Sequence, residues 1–425
     1  MFPKKIIGIL AWREGKRFGE PEYLSQLVHA GRLLGAEVYV FSHQDVYASE
    51  RKIRGFVPNR SGSWESGWHA WPQIVIDRYR RRVPEYMKLR HSGLFEFTNS
   101  PFSKKWRVTQ LLAKDPRVNR WIPQTFVYSP GKLRTMLEKH PIVYVKPGNG
   151  TGGKGILKVA ARGSRYELSG RDKSCARKTA SLRQVEEVGK WVKRWVEEQR
   201  IQGGNFLVQQ GLDLGLIPNR VSDVRLLIQK DRKGEWRVTG CGVRVGESGS
   251  STSNLHGGGK AYPFHLLIAK RFGEERAQQI LRECYIMAHQ VARVLEEHFG
   301  RMLEFGLDIG VDVNGRAWLI EVNPKPGREL FRQMGAMDLY AEAVTRPVQF
   351  ALYVLEEKEA KDNSPKLVAA VPGPQKADRV AASVFSSMAT GGEPTLMTHS
   401  PTRVWAELPK DSGYNLQSAS ILMTA

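Results

Sequence analysis

The sequence predicts an α/β protein: a small N-terminal α/β domain followed by a larger α+β domain of long strands and amphipathic helices. Three observations predict it. An apolar strand, an amphipathic helix and a second strand follow one another at the N-terminus. A glycine cluster further along lies between two strands. Two strands rich in Leu, Ile and Val then carry acidic residues at alternate positions around Asn314-Gly315.

Ile6 to Leu10 reads as a short buried strand. Pro21 to Leu34 has helical spacing in Tyr23, Leu24, Leu27, Leu33 and Leu34, with Gly35 as the stop. Glu37 to Ser42 and Pro72 to Arg78 read as further strands. Strand, helix, strand implies a parallel sheet with a crossover helix. The first turn lacks G-x-G-x-x-G, which argues against a dinucleotide site there. From Asn99 the texture changes. Lys104 to Ala113 reads as helix, and Pro123 to Tyr128 and Val143 to Lys146 as strands. Leu182 to Gln199 is an amphipathic helix with Val185, Val188, Trp191, Val192 and Trp195 on one face. Phe206 to Gln210, Asp223 to Gln229, Trp236 to Val245, Leu307 to Val313 and Ala317 to Val322 read as strands. A long helix, Glu275 to Phe299, precedes the last two. The expected organisation is residues 1–98, residues 99–360 and a disordered tail, 361–425, rich in Ala, Ser, Pro, Thr and Gly.

Composition excludes several classes. The 425 residues are 41% hydrophobic and 25% charged, ordinary values for a soluble protein of two or three domains. No apolar run reaches the ~20 residues that span a bilayer. Arg13-Glu14 stands where a signal peptide would continue. Three scattered cysteines make neither a disulfide framework nor a zinc pattern, and they fit a reducing, cytoplasmic setting. The formal charge of +22 suits an anionic ligand. Without a zinc knuckle, RRM signature or helix-turn-helix it argues against nucleic acid as the partner.

Gly148 to Gly155 nearly spells a Walker A motif, but Gly155 stands where Ser or Thr must hold magnesium. The strand-like Ile156 to Val159 follows where a helix is required. A glycine hairpin between strands closes over phosphates with its backbone N–H groups. Five glycines in eight residues, flanked by Lys146 and Lys154, favour that over a plain turn. His256 to Gly259 imitates an esterase oxyanion loop, but Gly246 to Ser250 fails as a nucleophile elbow.

Alternation places Asp308 and Asp312 on one strand face and Glu321 and Asn323 on another. A hairpin through Asn314-Gly315 would set Asp308 beside Glu321 and Asn323. Two carboxylates and an amide oxygen suit magnesium carrying nucleotide phosphates, not zinc. Flanked by Leu, Ile and Val, these acids would be costly to bury without a cation.

Lys105, Lys146-Pro147 with its glycine loop, Asp223-x-Arg225, Arg244, Asn254 to Gly258 and Glu321-x-Asn323-Pro324 stand in the order of the ATP-grasp superfamily. Residues 1–360 resemble the endospore-coat-associated YheC/YheD family, which carries this domain. The resemblance implies a small N-terminal pre-ATP-grasp domain before a two-subdomain ATP-grasp domain. It implies that Lys105 and Lys146 contact ATP, that Gly150, Gly152 and Gly153 cover its phosphates, and that Gln209 and Gln210 end the adenine-binding strand. Glutamine at 210 replaces the commoner acid. Asp308, Glu321 and Asn323 would hold magnesium, two ions by the family's pattern, with manganese as a substitute. Arg225, Arg244 and Asn254 would face an acyl phosphate. The implied activity is ATP-dependent amide formation between a carboxylate and an amine, with spore-coat association. The other reading is a spore-associated protein that binds ATP without turnover.

Overall fold

The computed structural model describes residues 4–81, 83–102, 105–148, 154–199, 205–247, 255 and 258–363. Gly150, Gly152, Gly153, Asn254, His256 and the tail beyond 363 lie outside them. In the N-terminal part, strand β1 (Ile6–Leu10) is followed by a small ribbon, β2 (Arg13–Glu14) and β3 (Arg17–Phe18). Helix α1 (Pro21–Leu33) then leads to β4 (Glu37–Phe41), β5 (Val46–Tyr47), β6 (Lys52–Pro58), β7 (Trp64–Ala70), β8 (Ile74–Asp77) and α2 (Pro84–His91). β1 pairs in parallel with both β4 and β8, as strand–helix–strand order requires. The sheet is nevertheless mixed, because β6 joins β4 antiparallel and continues into a β6–β7 hairpin. That hairpin escapes sequence reading because most of β7 is exposed and Gly67 interrupts its alternation.

The second part contains α3 (Lys105–Lys114), β9 (Thr125–Val127), α4 (Pro130–Lys139), β10 (Ile142–Pro147), β11 (Ile156–Arg162), β12 (Arg165–Arg171), β13 (Arg177–Leu182), α5 (Val185–Glu198) and β14 (Phe206–Gln210). Its strands form an antiparallel sheet in the order β13-β12-β11-β10-β14-β9. Val188, Val192 and Trp195 of α5 and Leu133 and Met136 of α4 bury against Val143, Val145, Leu157 and Val159. β12 and β13 are polar strands, and Leu168 is the only residue buried along their described length. Their hydrophobic period is therefore invisible in the sequence.

The third part contains β15 (Ser222–Lys230), β16 (Trp236–Val245), β17 (Lys260–Pro263), α6 (Phe264–Phe272), α7 (Glu274–Phe299), β18 (Glu304–Val311), β19 (Ala317–Asn323), α8 (Glu329–Gln333) and α9 (Met337–Asn363). Its sheet runs β17-β16-β15-β18-β19, antiparallel throughout. Alternation divides its faces. Val224, Leu226, Phe305, Leu307 and Ile309 pack on Ile280, Cys284, Met287 and Val291 of α7. Asp223, Arg225 and Asp308 point the other way, as the register between these strands requires.

Helix α9, which the sequence reading does not contain, ties the N-terminal part to this sheet. Val344, Val348, Ala351, Val354 and Leu355 share one core with Leu24, Leu27 and Val28 of α1 and with Leu227. Pro347 lies inside the helix and disguises its period.

Gly31 of α1 crosses β4 so closely that an added Cβ would lie 2.1 Å from Cγ2 of Val38. Gly31→Ala gains about 1 kcal/mol of helix propensity but overpacks a buried contact at a cost of about 1–3 kcal/mol. The clash should win. A thermal melt is expected to show a lower Tm, and an unchanged or higher Tm would show that the α1–β4 contact yields freely.

Candidate active site

The β17-β16-β15-β18-β19 sheet presents a charged patch across four strands. Residues directly opposite in an antiparallel ladder point to one face. Asp223 pairs with Arg244, Arg225 with Asp308, and Asp308 with Glu321, while Asn323 sits opposite Gly306. All six charged or amide side chains therefore share one face.

A β-bulge makes this so. Val311 pairs with Ala317 and Ile309 with Leu319, a register that would put Ile320 opposite Asp308. The register shifts between Asp308 and Ile309, so Ile320 becomes the extra residue and Glu321 comes opposite Asp308. Without the bulge Glu321 would point to the face that carries α7. The hairpin turn itself uses Asp312. Its carboxylate accepts from the backbone N–H of Asn314 (2.9 Å) and Arg316 (3.0 Å) and from Trp318 Nε1 (2.9 Å). Gly315, with φ +76°, donates to Asp312 O, which closes a turn longer than the two-residue Asn-Gly type. Asp312 thus shapes the turn and is not part of the Asp308 strand face expected from alternation.

The acids have protein cations beside them. Arg225 Nε donates to Asp308 Oδ1 at 2.5 Å, and Arg244 Nη2 lies 3.1 Å from the same oxygen while also pairing with Asp223. Burial alone would raise the Asp308 pKa, but Arg225 and Arg244 together hold it below the usual carboxylate value. Lys105, the first residue of α3, places Nζ 2.5 Å from Glu321 Oε1. The cost of burying these acids is thus met within the chain, which the sequence reading assigned to a metal alone. Asn323 directs Nδ2 toward Asp308 Oδ2 at 3.4 Å, so coordination through Oδ1 requires the amide to turn over.

The sheet containing β10 and β14 supplies the opposite wall of a cavity of about 680 Å³, a volume suited to a nucleotide. Lys146 enters from β10, with Nζ donating to Gln209 Oε1 at 2.6 Å, and Gln209 Nε2 donates to Thr125 Oγ1 at 2.8 Å. Desolvation lowers the Lys146 pKa to about 8, the nearby Glu321 raising it and Lys105 lowering it. Gln210 donates its backbone N–H to Gln124 O, and its side-chain Oε1 accepts from Gln124 N. Lys154, which the sequence reading set beside the phosphate-covering glycines, also lines the cavity, as do Lys158, Arg162 and Asp213, which it did not name. The signal was available for Lys158, which stands opposite Tyr144 on the Lys146 face while Leu157 and Val159 face the core. Asp213 follows β14 by three residues, so no strand period pointed to it.

Among the described residues no three His, Cys, Asp or Glu could hold a metal by themselves. Asp308, Glu321 and Asn323 are hard oxygen donors gathered on one face, which fits magnesium that completes its shell with phosphate oxygens and water. The sequence pattern of the YheC/D-like ATP-grasp family matches residues 94–354. The chain belongs to that family. It therefore has the ATP-grasp fold, a fold of ATP-dependent, ligase-type proteins. It is 26% identical over 346 residues to the endospore coat-associated protein YheD of Bacillus subtilis (strain 168), covering 79% of this chain and 74% of YheD. It is 24% identical over 361 residues to YheC of the same organism, covering 82% and 96%. The D-cycloserine synthetase DcsG aligns over 83% of this chain and 99% of its own, with 11% identity and a TM-score of 0.49. No helix among the described residues is long and apolar enough to cross a membrane.

Lys146 gives the site a pH signature. A phosphate bound at Lys146, as the resemblance implies, would favour the protonated amine and raise its pKa above the free value of about 8. Binding then takes up a proton. Affinity for a non-hydrolysable ATP analogue should fall as pH rises past 8, by up to about tenfold per unit. Titration calorimetry from pH 7 to 9.5 measures this, and a flat profile would remove Lys146 from the phosphate contacts.

Proposed function

We propose that this chain is an ATP- and magnesium-dependent carboxylate–amine ligase that works through an acyl phosphate. One observation carries the reading. Asp308, Glu321 and Arg244 converge on a cavity that also receives Lys105 and Lys146, and the strand register sets Asn323 and Arg225 on the same sheet face beside them.

An amide cannot form from a carboxylate with oxide as leaving group, and phosphorylation by ATP converts that oxygen into a good one. Magnesium, held by Asp308, Glu321 and Asn323, with manganese as a substitute, would neutralise charge on the transferring phosphoryl group. Lys105 would leave Glu321 for the phosphates once the metal takes over that carboxylate. Lys146 would sit against the phosphates from the other wall, and the glycines at 150, 152 and 153 would cover them. Asp213, which lines the same cavity, would accept from a ribose hydroxyl in place of the acid missing at Gln210. The two arginines differ in exposure. Arg244 is the more enclosed, with 5% of its side chain accessible against 15% for Arg225. Arg244, from the cavity wall, and Arg225, beside it on Asp308, would both face the acyl phosphate, with Asn254 on the same oxyanion. An amine then attacks the acyl carbon and phosphate leaves. The coat association of the two relatives supports a place for the product, or for the protein, in the spore coat.

ADP release screened against amino acids, peptides and cell-wall precursors tests the reaction. ATP with magnesium should raise Tm more than either alone, because binding at a hundredfold excess over Kd adds about 2.7 kcal/mol. A thermal shift equal to that of ATP alone would overturn the metal site. ATP-dependent stabilisation with no ADP from any substrate class would leave a non-catalytic binder.

Charge-removing variants separate the roles. Glu321→Gln keeps volume and should weaken magnesium-dependent ATP binding while abolishing turnover. Arg225→Met should leave ATP affinity within a few-fold and lower kcat by about 10²-fold or more, because its contact strengthens only as the phosphoryl group transfers. Equal losses of ATP affinity in both variants would place Arg225 on the ground-state phosphates instead.

A further inference from the structure

The β18–β19 ladder ends at Gly306 and Asn323, just where the proposed metal ligands lie. Beyond that pair the strands separate into Glu304, on β18, and the loop Pro324 to Arg328. Two guanidinium groups join them there. Arg78 Nη1 donates to Glu304 Oε1 at 2.9 Å and Nη2 to Pro326 O at 3.1 Å. Arg328 pairs with the same two residues, Glu304 and Pro326 O. One arginine belongs to the hairpin and the other to the N-terminal sheet, one residue past β8.

Neighbouring contacts lock the same loop. Lys325 Nζ donates to Asp77 Oδ1 (2.7 Å) and Tyr79 O (2.6 Å), and Arg80 Nη2 donates to Lys325 O (2.9 Å). A Cβ on Gly306 would lie 2.6 Å from Pro326 Cβ, so the loop sits on the strand without slack. Both guanidinium groups lie against the Tyr23 ring, at 4.9 Å for Arg78 and 4.3 Å for Arg328.

We propose that Arg78 is a positioning residue that sets the separation of Asp308 and Asn323 by bridging Glu304 to Pro326 O. The proposal rests on the metal reading above. Stability alone is a poor reason for this arrangement. Buried ion pairs often stabilise no better than apolar side chains of the same volume. Here Nε of Arg78 and Nε of Arg328 are also buried without a hydrogen-bond partner among the described residues, a penalty of about 1–3 kcal/mol each. What Arg78 provides that an apolar residue cannot is a fixed link between two strand ends beyond their last backbone pair. It also makes the C-terminal end of β8, the edge where open α/β sheets hold ligands, a neighbour of the metal hairpin.

The test reads metal affinity, not activity. Free Mn²⁺ is followed by paramagnetic resonance while it is titrated into the full chain with excess non-hydrolysable ATP analogue, well below Tm. Arg78→Lys keeps the charge but cannot make the fork and should raise half-saturating Mn²⁺ about tenfold, the usual effect of losing a group that orients metal ligands. Val348→Ala opens the core between α1 and α9, removes none of the hydrogen bonds or ion pairs of the loop, and should leave Mn²⁺ affinity within about twofold at a comparable or larger loss of Tm. Equal Mn²⁺ affinity in Arg78→Lys and the unaltered chain would overturn the proposal. So would a loss that tracks Tm alike in both variants. If Arg78→Lys does not fold, Lys325→Met replaces it and is expected to shift Mn²⁺ affinity in the same direction, while no shift there overturns the proposal. An unaltered chain whose nucleotide binding ignores Mn²⁺ would instead remove the metal reading itself.

Discussion

Asp308 and Glu321 face each other across two strands, at the wall of a cleft, and much of the surrounding structure serves to hold two carboxylates in that position. Each has a cation at contact distance, Arg225 and Arg244 for the first and Lys105 for the second. Like charges at this range in a desolvated site repel strongly, and an unpaired acid would take up a proton instead. The arginines keep Asp308 ionised before any ligand arrives. Lys105 is the more replaceable partner, because it comes from a helix end outside the sheet and is half exposed.

The sheet can carry this charge because its other face is apolar and packed along the length of α7. That packing fixes the strands, and the bulge at Asp308 then decides which side chains share a face. A one-residue change of register there would exchange Glu321 for Ile320 and put a carboxylate into the α7 core. The N-terminal sheet adds a second constraint, through α9, which packs over Leu227 and Gln229 on the same face of the sheet as Asp308, and through Arg78 and Lys325 at the end of the hairpin. The site is thus held by backbone pairing at its centre and by side-chain ion pairs at its edge, which is how preorganised electrostatic sites keep their geometry.

Much of this was legible in the chain itself. The period of Ile6 to Leu10, Pro21 to Leu34 and Glu275 to Phe299 identified elements whose buried faces are wholly apolar. The pairs Asp223-x-Arg225 and Glu321-x-Asn323 were readable because a strand's two-residue repeat puts such neighbours on one face. The glycine cluster between strands separated this site from a P-loop on local grounds alone.

Other features depended on partners distant in sequence. Polar strands β12 and β13 are defined by hydrogen bonds to β11 and to each other rather than by buried side chains. Helix α9 shows its purpose only when α1 supplies the other half of its core. Asp312 and Asp308 look equivalent by spacing, but the turn captures one and the arginines hold the other. Sequence by itself determined which residues are acidic, basic or apolar and how they repeat, and so the element types and the chemistry on offer. Tertiary structure alone decided the bulge that sets Glu321 opposite Asp308, the cations that neutralise them and the distant arginine that closes the hairpin. Those follow from pairing register and from contacts between residues more than two hundred positions apart, such as Arg78 and Glu304, which no local period encodes.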